Sequence, residues 1–469
     1  MTSVRNVLYP LVFGVVAGSL ALCAQSPIGS LISGQSRTGI TVEGAGARAM
    51  GMGGAFIAVA DDATAATFNP AGLAQLLKPE FSCVAQGLQR RVSYQDFETT
   101  TQGRQLAVGD SLIGHTHFDP LLISAMVPLR VAGRNLAIQL SAQRAFTMGE
   151  GDSRSVQETP LAAGQPVQVN QSIHQSGQID VYSLAVAYEC SQRILLGVTY
   201  NQWRGRWDLD TGSVQTSGGS TSSLRFRQGN GLNGQNFNLG LLWRWPTWTL
   251  GLVHGTAFRA DYSFNTTLDT TVPVTVPPAT SVSGVGLHWP DFTGLGLAFR
   301  PTDQWLVTGD IQHTAWSQAR FLNADRSLNG LNFFDLTRSG YGQDATVVRL
   351  GAEKVWVSSG GLLVPLRFGA SREPQPLVDP LTGEQRVMLG LALGSGCKWG
   401  PYTLDLAYRY AWARRRASQF LAVDQILAGS NTSSVGVERT VEQRLEMTFI
   451  MQLDRQPVDR VLRHLFVGD

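Results

Sequence analysis

The sequence predicts an all-β protein: a transmembrane antiparallel β-barrel of about fourteen strands with an N-terminal plug, or hatch, inside its lumen. Charged residues make up only 15% of the chain, well below the roughly 25% of a soluble domain. Mean hydropathy is nevertheless −0.02, too polar for a helical membrane protein. Apolar and polar residues instead alternate with a period of two, in run after run. The connections between those runs alternate short and long, as periplasmic turns and external loops do.

Residues 1–24 read as an export signal. Arg5 lies in a polar start, Val7 to Leu22 is an apolar run, and small residues follow at a cleavage site after Cys23 or Ala24. The run is shorter than the roughly 20 residues of a spanning helix and has no stop-transfer pattern. Cys83, Cys190 and Cys397 remain, an odd number set far apart, which defines no disulfide or zinc framework. The His residues are scattered without metal spacing, so neither metal nor cofactor is expected. A net charge of +2 gives no sign of nucleic acid.

Residues 25–80 read as the hatch. Gly46 to Leu76, GARAMGMGGAFIAVADDATAATFNPAGLAQL, is too rich in small residues for an ordinary core helix and too apolar for a linker. Small residues let the backbone approach an inner barrel wall closely. Asp61 and Asp62 are placed to cap a following short helix. Asn69 then Pro70 reads as an N-cap and first helical residue, since asparagine accepts from free amides and proline lacks a donor that a helix start cannot use.

Residues 81–453 read as the barrel. In Asn135 to Phe146, Leu136, Ile138, Leu140 and Ala142 share one face, and Ala137, Gln139, Ser141 and Gln143 the other. In Tyr402 to Ala413, Leu404, Leu406, Tyr408, Tyr410 and Trp412 face out, and Asp405, Ala407 and Arg409 face in. Near the end, Leu445, Met447, Phe449, Met451 and Leu453 alternate with Glu446, Thr448 and Gln452. Strands are expected to begin near Phe81, Pro120, Asn135, Asp180, Arg193, Asn233, Trp248, Gly286, Gln304, Asp344, Leu362, Val387, Tyr402 and Thr440. Long polar loops are expected over Thr147–Ile179, Asp210–Leu232 and Phe321–Gln343. Pro365 removes a ladder donor, which is tolerable beside a turn. Asp310, Arg349, Glu353, Asp405, Arg409 and Glu446 fall on inward positions and suit a wall that grips a plug rather than an ion-selective pore.

Two loops carry apolar clusters: Leu331, Phe333, Phe334 and Leu336, and then Phe420, Leu421, Val423, Ile426 and Leu427. Together they suit an entrance groove for a greasy substrate. Arg414, Arg415 and Arg416 follow the Trp412 end of their strand, where lipopolysaccharide phosphates could pair with them. Residues 454–469 continue past the last strand as a periplasmic tail. The Gly-Asp-Ser-Leu run at residues 109–112 lacks a strand-to-helix elbow and a partner Asp-x-x-His. Gly229 to Gly234 matches a dinucleotide fingerprint, but a strand follows it rather than a helix, so it reads as a loop. No enzymatic activity is expected.

Gly46 to Phe56, Ala60 to Ala63 and Asn69 to Ala74 resemble the hatch of the FadL family, outer-membrane transporters for long-chain fatty acids and other hydrophobic compounds, aromatic hydrocarbons among them. The resemblance implies capture of a hydrophobic small molecule by external loops, passage to a pocket in the barrel, and sideways release through a gap beside the hatch. Asn69, Pro70, Ala71 and Gly72 carry the hatch motif. A branch similar to the PorV barrels of a secretion machine shares the motif and the barrel but has no small-molecule cargo. That branch implies a secretion-machine partner instead.

Overall fold

The computed structural model describes residues 44–95, 98–101, 104–107, 111–148, 150–160, 167–217, 219–271, 279–323, 325–332, 342–357, 362–379, 382–420 and 433–453. The expected export signal and C-terminal tail lie outside these residues.

The strand segments are β1 Glu80–Gln95, β2 Glu98–Thr101, β3 Arg104–Ala107, β4 Ser111–Val131, β5 Arg134–Thr147, β6 Glu150–Pro160, β7 Val167–Glu189, β8 Ile194–Ser217 and β9 Ser220–Arg244. They continue as β10 Trp248–Gly255, β11 Phe258–Thr270, β12 Ala279–Trp289, β13 Phe292–Thr302, β14 Trp305–Thr314, β15 Arg320–Leu322, β16 Leu328–Asn332, β17 Ala345–Val357, β18 Leu363–Val378, β19 Gln385–Trp399, β20 Tyr402–Phe420 and β21 Ser433–Gln452. Fourteen staves form the closed antiparallel barrel, with β10 and β11 as two parts of one stave and β12 and β13 as two parts of the next. The remaining segments, β2, β3, β6, β15 and β16, extend the wall at its outer end. Closure is made by β1 against β21, paired without a break from Glu80↔Gln452 to Gln95↔Val437.

The period-two reading holds residue by residue. In β20, Asp405, Ala407, Arg409 and Ala411 are buried, while Leu406, Tyr408, Tyr410 and Trp412 are 36–50% exposed toward lipid. Asp310 and Arg349 point inward as expected. Tryptophans mark the periplasmic boundary on the outside. Lys354 lays its ammonium 5.0 Å from the ring centroid of Trp305 and 4.9 Å from that of Trp356, which holds the charge at the water interface.

Strand lengths differ from expectation at the outer end. β4, β7 and β9 begin at Ser111, Val167 and Ser220, well before Pro120, Asp180 and Asn233. The stretch Asp210–Leu232, expected as a loop, is a hairpin of β8 and β9, and most of Thr147–Ile179 is strand as well. The reason is physical: above the membrane the outward face needs no apolar residues, so the alternation fades while pairing continues. Gly229 to Gly234 accordingly sits within β9, not in a loop. A bulge at Arg144/Phe146 shifts the β5 phase and turns Phe146 into the lumen. Pro120 lies at the irregularity between β4 and β1. Pro365 falls where β18 skips its β19 ladder, and Ser395 Oγ donates to its carbonyl at 2.9 Å.

Candidate functional site

Residues 44–79 lie inside the periplasmic half of the barrel. They fold as one short α-helix, Ala47–Gly51, and two 3-10 helices, Ala65–Thr67 and Pro70–Gln75. Such short turns satisfy few of their own amides, so the wall supplies partners. Ala47 N donates to Thr448 Oγ1 at 2.7 Å, and Phe56 N and Ile57 N donate to Asp310 Oδ2 at 2.7 and 2.9 Å. Gln139 Nε2 and Ser124 Oγ both donate to the Ala63 carbonyl, at 2.7 and 2.9 Å. Asn135 Nδ2 reaches the carbonyls of Ala74 and Leu76, each at 2.8 Å.

Asn69 is the knot of this arrangement. It is fully buried. Its Oδ1 accepts from Ala71 N at 3.1 Å, as an N-cap before Pro70. Its Nδ2 donates to the Ile57 carbonyl at 2.9 Å and to the wall carbonyls of Leu241 and Leu252 at 3.1 and 3.4 Å. Gly72 completes the motif, since a Cβ there would sit 1.9 Å from the Ala60 carbonyl oxygen.

The acidic pair behaves differently from expectation. Asp61 caps no helix; it accepts from Arg48 Nη1. Asp62 accepts from Thr64 N at 2.8 Å and Thr64 Oγ1 at 2.6 Å, an Asx turn ahead of Ala65–Thr67 rather than a side-chain cap on it. Burial holds the Asp62 carboxyl above its ordinary range.

The wall makes room with glycine. A Cβ at Gly369 would lie 1.9 Å from Gly53 N, at Gly240 2.2 Å from Asn69 Oδ1, at Gly197 2.4 Å from Ala71 N, and at Gly251 and Gly351 2.5 Å from the carbonyls of Ile57 and Met52. Backbone therefore meets backbone at Gly197, Gly251, Gly351 and Gly369, and the Asn69 side chain at Gly240. Sequence reasoning missed these glycines. Their signal was present as glycine between outward apolar residues: Leu239-Gly240-Leu241, Leu250-Gly251-Leu252, Phe368-Gly369.

Above this segment the lumen is divided lengthwise. One wall, from β17 through β21 to β1, carries buried ion pairs. Glu353 binds Arg48 at 2.9 Å and Arg367 at 2.6 Å, and Arg367 also holds Asp405 at 2.6 Å. Arg409 pairs with Glu373 at 2.6 Å, while Glu442 meets Arg90 at 2.6 Å and Arg444 at 3.0 Å. Near the outer end, Glu438 binds Arg386 at 2.7 Å and Arg415 at 3.0 Å. Arg415 thus points inward, contrary to the expected rim, and only Arg414 and Arg416 of that run are exposed. Of the expected gripping charges, Asp310, Glu353 and Glu446 contact the N-terminal segment; Asp405 and Arg409 pair within the wall, and Arg349 Nη1 donates to Gln312 Oε1 at 3.3 Å.

The opposite wall is aromatic. Trp203 stacks on Phe258 and lies near Trp289, each at 5.7 Å between centroids, and Trp289 meets Trp316 edge-on at 5.7 Å. Phe146 joins at 6.4 Å from Trp203. Higher up, Tyr262 lies 6.1 Å from Trp207 and 5.6 Å from Phe321. The polar ends of these rings are satisfied: Trp203 Nε1 donates to Asn236 Oδ1 at 2.8 Å, and the Tyr262 hydroxyl to Asn230 Oδ1 at 2.5 Å. No sequence motif marks this wall, because its residues come from separate strands and meet only through register.

Between the N-terminal segment and the wall lies a cavity lined by Ile57, Phe68, Phe292, Arg349, Glu373, Arg409 and Glu446 among others. Its free space of about 40 Å³ holds about three waters. Apolar and charged side chains share its lining, and the aromatic cluster stands further out. The expected entrance residues Phe333, Phe334, Leu336, Leu421, Val423, Ile426 and Leu427 lie outside the described residues, as do the side chains of Leu331 and Phe420.

A closed barrel with a lipid-facing apolar band and a divided polar and aromatic lumen is an integral outer-membrane protein, and no helix among the described residues is long and apolar enough to cross a bilayer. A sequence profile described as outer membrane protein transport protein (OMPP1/FadL/TodX) matches residues 30–353, and the chain belongs to that family. Among solved structures, a FadL homologue of Pseudomonas aeruginosa is similar with a TM-score of 0.65 at 13% identity, covering 89% of this chain and 100% of that one. The toluene transporter TodX of P. putida is similar with a TM-score of 0.54 at 11% identity, covering 88% and 99%. No curated protein sequence matches this chain.

Proposed function

We propose that this protein carries a hydrophobic small molecule, of the long-chain fatty acid or hydrocarbon class, through the outer membrane. Residues 25–80 act as the hatch that closes the pore, and the cargo leaves sideways. One observation carries the reading: the outer lumen holds a continuous, buried aromatic cluster, an apolar filling that an aqueous pore does not need and that a greasy cargo could part and pass along. The toluene cargo named for TodX is of the same chemical class.

Strand pairing supports an exit between β4 and β5. β4 and β5 pair from Val131↔Arg134 up to Leu122↔Gln143. Beyond that, among the described residues, β4 pairs only with β1 and β5 only with β7. Side chains bridge the seam, with Arg144 Nη1 and Thr147 Oγ1 donating to Asp119 at 2.5 and 3.1 Å. The last pair before the seam, Leu122↔Gln143, lies two residues above Ser124 and four above Gln139, whose side chains bond the Ala63 carbonyl. Cargo descending the aromatic wall meets the closed hatch and this seam at the same level. Leu331, Phe333, Phe334, Leu336, Phe420, Leu421 and Val423 form the entrance above.

A disulfide across the seam tests this. Asp119→Cys with Arg144→Cys, in a background with Cys83, Cys190 and Cys397 replaced, should block uptake of a fluorescent fatty acid into reconstituted vesicles when oxidised and restore it on reduction. Equal uptake in both states refutes sideways exit. The close packing of residues 44–79 against the wall would also suit a second reading, a PorV-like secretion-partner barrel without cargo. Wild-type vesicles that take up neither fatty acid nor toluene above empty vesicles would favour that reading.

A further inference from the structure

We propose that the outer rim of strands β1, β18, β20 and β21 binds a phosphate of an outer-leaflet glycolipid headgroup, with Arg414 and Arg439 as the central pair and Arg91 and Arg372 at the flanks. This rests on the barrel and its lipid band, not on the transport reading.

The register brings the four together. Arg414 stands directly opposite Arg439 across the β20–β21 ladder. Arg439 in turn faces Ser93, two residues from Arg91 on β1. Arg372 lies one row lower, opposite Leu389, which faces Trp412. All four side chains are on the outward face and exposed. Directly opposed residues have their Cβ atoms about 4.5–5.5 Å apart, and like charges so placed repel. No ion pair or hydrogen bond engages these four guanidinium groups in the described structure. Two outward arginines elsewhere on the rim are neutralised in place: Arg225 by Asp210 at 2.5 Å and Arg227 by Asp269 at 2.7 Å. The nearby carboxylate, Glu384, is occupied by Arg416 N at 2.7 Å.

A repelling arginine pair left open calls for an anion. The position selects its source. Tyr408, Tyr410 and Trp412 lie immediately below Arg414 on the same face and mark the outer edge of the lipid band. Leu391, Leu393 and Leu406 continue that face downward for acyl chains. A lipid seated there presents its headgroup at the level of the arginines. A phosphate monoester carries about −1.5 to −2 charge at neutral pH, and the planar guanidinium fork matches its oxygens. Tethering by acyl chains distinguishes this ligand from a free anion.

The test uses the full-length protein and native mass spectrometry. Purified protein is equilibrated with bisphosphorylated lipid A in mixed micelles, and retained lipid is counted. Wild type should retain it. Arg414→Gln/Arg439→Gln should retain at least tenfold less, while Arg225→Gln/Arg227→Gln, with the same loss of charge, should match wild type. On wild type, enzymatically dephosphorylated lipid A should be retained at least tenfold less, an arm that needs no variant to fold. Equal retention by the central double variant, or of the dephosphorylated lipid, overturns the site. Complete displacement by millimolar inorganic phosphate assigns it to a free anion and overturns the lipid.

Discussion

Asn69→Ala should open the hatch while leaving the barrel intact. The side chain makes one bond as acceptor and three as donor, and it is wholly buried. Leu241 and Leu252 are already paired in the β9–β10 ladder, so losing Nδ2 matters little to them. Ala71 N and the Ile57 carbonyl are the groups left without their partner. Each buried group so orphaned costs about 1–3 kcal/mol, which gives a total of about 2–6 kcal/mol. Even the lower bound changes the opening equilibrium about 30-fold, since about 1.4 kcal/mol is tenfold. The closed strand ladder from β1 to β21 is untouched, so the variant should still run as a heat-resistant folded band on a gel. Single-channel recordings in planar bilayers should show more frequent openings, and backbone amides of residues 44–79 should exchange hydrogen faster than those of the wall. A variant with wild-type conductance and wild-type exchange in that segment refutes the assignment of Asn69 as the tie between hatch and wall.

Deleting residues 46–76 should leave a folded barrel of raised conductance; a deletion that conducts no more than wild type would mean this stretch does not close the pore. Gly369→Ala should displace the hatch, because its Cβ would fall 1.9 Å from Gly53 N, whereas Gly87→Ala, whose Cβ would meet only Phe118 at 3.8 Å, should be silent in conductance and proteolysis. Glu442→Gln removes a buried carboxylate from among Arg90, Arg409 and Arg444, and the barrel should lose about 3–5 kcal/mol in urea unfolding. Replacing Phe333, Phe334 and Phe420 by serine should slow probe uptake at unchanged yield, and uptake equal to wild type would remove these residues from the entrance. Trp203→Ala should lower uptake of an aromatic probe more than that of a saturated fatty acid, with equal losses arguing against ring recognition.

Much of this molecule was legible because lipid imposes a strict alternation. Leu406 and Tyr408 against Asp405 and Arg409 can be sorted in or out from spacing alone, since a one-residue slip would put charges into hydrocarbon. Asn69-Pro70 was legible for a local reason, the chemistry of a helix start. Strand ends above the bilayer were not, because β8 and β9 keep pairing where Asp208, Asp210, Arg225 and Arg227 face water and nothing apolar marks them. Charge partners were hidden for a different reason. Arg367 bridges Glu353 and Asp405 on two other strands, and only the stagger of three ladders brings them together. Arg415 was misplaced by reading three consecutive arginines as one patch, although adjacent strand residues face opposite sides. Asp61 and Asp62 were read as caps from sequence proximity, while the nearest cation, Arg48, lay across a turn.

The glycine ring also constrains the order of assembly. Where Gly251 and Gly369 meet residues 44–79, main chain lies against main chain, with no side chain able to rotate aside and make clearance, and at Gly240 the buried Asn69 side chain fills the space. A finished tube would have to admit Asn69 past Gly240 and Gly53 past Gly369 through an opening already shaped to exclude anything larger. The polypeptide is therefore expected to serve as its own mandrel, with residues 44–79 in position before the β1–β21 edges close around them.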